Sequence, residues 1–165
     1  MHLPVVSPCM FFRNPVILAV VMKMTDDRQM LGSILKTAQM GQIGIQKVLD
    51  TSMRPALRKA LQAQLQEYRS IEAEAHYLAS QRSWELREIQ PVKRLLTGMR
   101  THMTLRNGNS DSKIADMIIQ SNTCAMIAGL KDLHQYQQQD SQVSALSQRL
   151  LDCETANIRQ MQPFL

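Results

Sequence analysis

Glu72, Glu74 and His76 form the one local cluster of acids with a histidine in this 165-residue chain. Glu72 and His76 stand four positions apart, which places both on one side of a helix. Such a pair can exchange protons with a substrate or supply two ligands to a metal ion. The same spacing also makes an ordinary ion pair on a helix surface. Two further segments begin like metal-binding Glu-x-x-His pairs and then depart from them: Glu67-Tyr-Arg-Ser70 and Glu154-Thr-Ala-Asn157. The remaining histidines of the body, His102 and His134, have no acid at motif spacing. No Gly-rich phosphate loop, G-x-S-x-G turn or H-E-x-x-H helix occurs. The cysteines, Cys9, Cys124 and Cys153, are odd in number and contain no C-x-x-C. They indicate neither a disulfide framework nor a zinc knuckle and favour a reduced, intracellular setting. Cys124 and Cys153 are expected to pack as small apolar side chains, and nothing beside Cys124 marks it as a nucleophile.

The elements that would position these residues are all helical. Thr25-Asp26-Asp27 supplies an N-cap and first-turn acids. Leu31, Ile34, Leu35, Ala38, Ile45 and Val48 then recur at helical spacing, which predicts a first helix over 27–50. Gly32, Gly41 and Gly44 weaken that helix, so a close neighbour along its glycine-bearing side is expected there. Pro55 suits the first turn of a second helix over 54–83, striped by Leu57, Leu61, Leu65, Tyr68, Ile71 and Leu78. So short a connection makes the two helices antiparallel neighbours. Residues 84–111 form a long link in which Pro91 opens a short helix carrying Val92, Leu95, Leu96, Met99 and Met103, ended by Asn107-Gly108-Asn109. A third helix over 112–137 and a fourth over 141–161 make the second hairpin. The hairpins echo each other weakly: Gly44-Ile45 lies 85 residues before Gly129-Leu130, and Leu61 and Leu65 lie the same distance before Leu146 and Leu150.

Residues 1–24 differ in character. They hold three of the six prolines and no acid, and their apolar run from Val16 to Met22 is too short to cross a bilayer. The favoured reading is an upstream start ahead of a true one at Met22 or Met24. A loosely docked or disordered tail and an export segment are the alternatives. The helical-bundle domain is placed at 25–165. The chain carries a net charge of +5, of which Arg13 and Lys23 supply two, leaving +3 for the body. That excess reads as a solvated surface. An acidic or nucleic-acid partner is the competing reading, which no basic run with interleaved aromatics supports.

Over residues 26–162 the order of hairpin, long crossover with a short extra helix, and hairpin resembles the ferritin-like superfamily. The resemblance implies an all-α four-helix bundle of two antiparallel hairpins. Di-iron members place one Glu on each of two helices and a Glu-x-x-His on each of the others. Here the first helix has no acid between Arg28 and Leu49, and the third has none from Met117 to Lys131. The expected site is therefore empty of catalytic, cofactor-binding and metal-ligating residues, with no cofactor. Within the superfamily, Ser112-Lys-Ile-Ala-Asp-Met-Ile-Ile-Gln120 and Leu150-Leu-Asp-Cys-Glu-Thr-Ala-Asn-Ile-Arg-Gln-Met161 are similar to spore-coat-F-type and related helical-bundle proteins of Firmicutes. That similarity implies a non-enzymatic structural bundle, cytoplasmic or associated with the spore or its coat. The chain lacks the Tyr-, Gly- or Cys-rich tracts by which many coat proteins cross-link. Protein partners or self-association are expected, through the glycine side of the first helix with Met30, Met40 and Met53. The alternatives are a ferritin-like metal or redox protein using Glu67, Glu72 or Glu74, His76 and Glu154, and a regulatory or nucleic-acid-associated module.

Overall fold

The computed structural model describes residues 25–87, 110–138 and 140–165. Four helices account for most of them: α1 Asp27–Leu49, α2 Pro55–Gln81, α3 Ser110–Gln135 and α4 Ser141–Met161. A single 3-10 turn, Gln162–Phe164, follows α4. The short helix expected around Pro91 to Met103 and the whole of residues 1–24 lie outside the described residues. Among the described residues no helix is long and apolar enough to cross a membrane.

Local chemistry sets the helix ends. The Asp26 carboxylate accepts from the Gln29 amide at 2.7 Å and caps α1. Pro55 begins α2, where its missing N–H costs nothing. The Asp140 carboxylate accepts from the amides of Gln142 and Val143 and caps α4. Burial alone would push Asp140 up. The Val143 amide, the Arg82 guanidinium and the Gln142 amide outweigh that and hold its carboxyl below the usual carboxylate range. α2 stops without a glycine. Ser83 takes the left-handed conformation (φ 54°), Ser83 N donates to Ser80 O and Trp84 N donates to Ala79 O. That bond pair satisfies the last carbonyls as in a Schellman end, with Trp84 folded back against the core.

Contacts along the helices fix their directions. Gly41 meets Tyr68, and the Gln39 amide donates to Glu72, so α1 and α2 are antiparallel. Gly129 meets Leu151 and Thr155 reaches Met126, so α3 and α4 are antiparallel too. Gln64 reaches Gln160, while Arg82 pairs with Asp140 at 2.5 Å, which sets α2 antiparallel to α4. Tyr136 bonds Asp27 at one end of α1, and Asp111 pairs with Arg54 just past the other. α1 and α4 therefore run one way, α2 and α3 the other. α2 ends beside Asp140 and α3 begins beside Arg54, at opposite ends of a bundle whose helices are roughly 30 to 40 Å long. The connection between them is thus a crossover from end to end, not a tight turn.

The core lies between all four helices. Leu31, Leu35, Leu57, Leu61, Ile71 and Leu78 are completely or almost completely buried, and each contributes about 1.5–3 kcal/mol relative to exposure. The close neighbour expected along the glycine side of α1 is α2, whose Tyr68 ring meets Gly41, while Met30, expected at a contact with a partner, is a core residue. The physical reason is helix phase: Met30, Ile34, Ala38 and Gly41 fall on the same inward face. Gly32, by contrast, faces open space.

Candidate functional site

The polar residues that converge do so at the centre of the bundle, one from each of three helices. Tyr68 on α2 is 1% exposed. Its ring lies where a side chain at position 41 would be, since a Cβ there would come within 2.6 Å of the ring. Gly41 of α1 is thus the space into which the phenol fits. The hydroxyl reaches Glu154 Oε1 of α4 at 2.9 Å and Asn122 Oδ1 of α3 at 3.2 Å. Asn157, one turn beyond Glu154, donates to Cys153 Sγ at 3.5 Å. Gln64, one turn before Tyr68, donates to the Asn157 carbonyl and to Gln160.

The electrostatics of this cluster follow from its burial. Glu154 is 1% exposed, and desolvation pushes its carboxyl up to about 7, partly opposed by the Tyr68 hydroxyl. Burial, with Glu154 beside it, raises the Tyr68 phenol well above its ordinary value. Burial likewise pushes the Cys153 thiol up to about 12, so it stays an inert thiol. Tyr68 has one hydroxyl proton and two acceptors within reach. A proton on Glu154 lets both contacts form, Glu154 donating to Tyr68 and Tyr68 to Asn122. Among the described residues Glu154 Oε2, Asn122 Nδ2 and Gln64 Oε1 are buried without a hydrogen bond. Unmet groups of this kind cost about 1–3 kcal/mol each.

The residues expected to carry chemistry do not meet in one site. Glu67 and Glu74 both turn outward to Arg149, at 2.8 and 2.5 Å. Glu72 accepts from the amides of Gln39 and Gln42 across the α1–α2 seam. Burial raises Glu72, but those amides outweigh it and hold the carboxyl below the usual carboxylate range. His76 lies 3.8 Å from Glu72 and is exposed, a surface pair of little energetic weight. His134 is exposed on α3. Only Glu154 points to the centre. Among the described residues no three His, Cys, Asp or Glu side chains group as a metal site would require.

Tyr68 and Ile71, on the apolar stripe expected for α2, face inward, whereas Glu67, one residue before Tyr68, does not. A one-residue step is 100° of helix rotation, enough to move Glu67 from core to rim. Cys124 departs from expectation. It is exposed, whereas Cys153 is buried. Asn122 escaped notice because it is polar, although it continues the inward stripe of Ile114, Ala115 and Ile118 at the correct spacing.

No family model matches the sequence, and no curated protein matches it. Among solved structures, the bundle is similar to a crystal structure of a DUF305 fragment from Deinococcus radiodurans. The TM-score is 0.64 at 14% identity, over 83% of this chain and 93% of that one. At that identity the likeness concerns the fold alone.

Proposed function

We propose that this chain is a non-enzymatic helical scaffold that works through protein contacts, built on a ferritin-like frame whose ligand positions have been given to other chemistry. The observation that carries the reading is the centre of the bundle. Where a di-iron protein would gather carboxylates and histidines, Tyr68, Asn122 and Asn157 surround a single acid, and Tyr68 and Glu154 are each 1% exposed. A phenol with a raised pKa and a sealed carboxyl offer a substrate neither access nor a nucleophile. One carboxylate among amides and a phenol also lacks the four carboxylates and two histidines by which such proteins hold a pair of irons.

A finer reading assigns the scaffold to the spore or its coat. Its support is the similarity of residues 112–120 and 150–161 to spore-coat-F-type proteins. In this bundle these are the first turns of α3 and the second half of α4, and they contribute Ile114, Ile118, Glu154 and Asn157 to the interior.

The test is elemental analysis of natively purified protein together with its mass in solution. Metal well below one equivalent per chain is expected. Iron or manganese at about two per chain would overturn the scaffold reading. A fluorescent fusion in a sporulating host checks the finer reading, which fails if the signal stays uniform through spore formation.

A further inference from the structure

α3 carries a second face that the core does not use. Directly opposite its inward stripe lie Asp116, Gln120, Cys124, Ile127 and Lys131, all exposed, at successive spacings of four, four, three and four. That is one continuous helical stripe. Between Asp116 and Lys131 the helix has no charged residue for fourteen positions. Ile127 is 46% exposed on the stripe and Leu130 is 51% exposed beside it. Solvent-facing stretches of the other helices are broken more often, by Arg69 on α2 and Asp152 on α4 for example.

The charges bounding the uncharged stretch have opposite signs, Asp116 at its start, one turn after the exposed Lys113, and Lys131 at its end. A stripe with that polarity complements itself when a second copy lies antiparallel. We propose that two copies of this chain pair α3 against α3 about a twofold axis, with Asp116 of each opposite Lys131 of the other. This rests on the scaffold reading and gives it a specific partner. Pairing 116 with 131 puts the axis between residues 123 and 124, so Cys124 lies one residue's rise, about 1.5 Å along the axis, from its own counterpart and Gln120 packs on Ile127. The arrangement is isologous, as a closed dimer requires. A register centred on Ile127 would instead set Asp116 opposite Gln138 and leave both bounding charges without a complement. The small Ser121, Cys124 and Ala128 at the centre allow the helices to approach at the short end of the usual 8–10 Å interaxial range.

A single helix face of about four turns buries less than the roughly 800 Å² per partner of a standard stable interface. The dimer is therefore concentration-dependent and disfavoured by salt. Sedimentation at increasing protein concentration reads the association directly, in a Cys9→Ser background in which Cys124 is the exposed cysteine. A monomer–dimer equilibrium is expected, and a short bis-maleimide, adding one Cys124 thiol across each of its double bonds, should trap a covalent dimer. Ile127→Arg should weaken association more than about tenfold through two buried, unpaired charges. Asp116→Lys and Lys131→Asp singly should each weaken it, and the double exchange should restore it. All three positions are on the surface, so the variants keep the fold, which circular dichroism verifies. A monomeric mass at the highest soluble concentration overturns the pairing. So does a dimer indifferent to both charge reversals, or one that bis-maleimide does not trap. Each of those results leaves the metal-free scaffold standing, because metal content is measured separately.

Discussion

The two hairpins both bury an apolar stripe but differ in how many polar residues they bury with it. In the α1–α2 hairpin the interior is almost wholly apolar, with Gln64 as its buried polar residue, and the rim carries amides and charges such as Gln39, Gln42 and Glu72. In the α3–α4 hairpin Asp111, Asn122, Ser147, Glu154 and Asn157 are all buried, while Ile127 and Leu130 face outward. Hydrophobic burial alone would not choose the second arrangement. Its polar interior is tolerable because Tyr68, supplied by the first hairpin, reaches across to Glu154 and Asn122. One hairpin provides shape and apolar area, and the other provides polar groups that need a partner.

That contrast breaks most visibly at Tyr68. Tyr68→Ala should cost about 3–5 kcal/mol, since it empties a central volume and strips Glu154 of its donor. Tyr68→Phe keeps the ring against Gly41 and should lose about 1–3 kcal/mol. Chemical denaturation of the two variants separates packing from hydrogen bonding. If Phe costs as much as Ala, the hydroxyl rather than the ring holds the hairpins together.

Glu154 sharpens the comparison through pH. Its carboxyl titrates at about 7 in the folded protein, against about 4.3 in an unfolded chain. Between these values the folded state binds the extra proton. Stability is therefore highest below about pH 4.3 as far as this group is concerned, and it is lost as pH rises through 7, by up to about 4 kcal/mol. The groups facing Glu154 do not reverse this sign. Tyr68 and Cys153 stay neutral, α3 offers Asn122, and Arg149 is engaged outside by Glu67 and Glu74. α1 contributes no titratable residue between Lys36 and Lys47. Glu154→Gln should remove the decline and be the more stable protein at pH 8. An unchanged pH profile in that variant would mean the carboxyl is ionised throughout.

The smallest effects distinguish two glycines of one helix. Gly41→Ala gains helix propensity of about 1 kcal/mol but drives a Cβ to 2.6 Å from the Tyr68 ring. A net loss of up to about 2 kcal/mol is expected, since overpacking costs roughly 1–3. Gly32→Ala meets nothing within 4 Å and should stabilise by about 0.5–1 kcal/mol. Thermal melts showing the same sign for both would remove the close contact as the reason for Gly41.

The sequence by itself determined the helices and their pairing. The spacing of Leu31, Ile34 and Leu35, the cap at Asp26, the start at Pro55 and the cap at Asp140 are local features, and local features are written in neighbouring residues. The absence of acids from the middle of α1 and α3 was equally legible. Only the tertiary structure decided what the apolar stripes meet across the bundle. Tyr68 already stood on the apolar stripe of α2, but the groups around it, Gly41, Asn122 and Glu154, come from the three other helices. Glu67, 100° round the helix from Tyr68, falls at the rim, and Cys124 and Ile127 are left outside. What each stripe meets is set by packing against the other three helices, where the fit of a phenol over a glycine and the needs of one buried acid outweigh any preference carried along the chain.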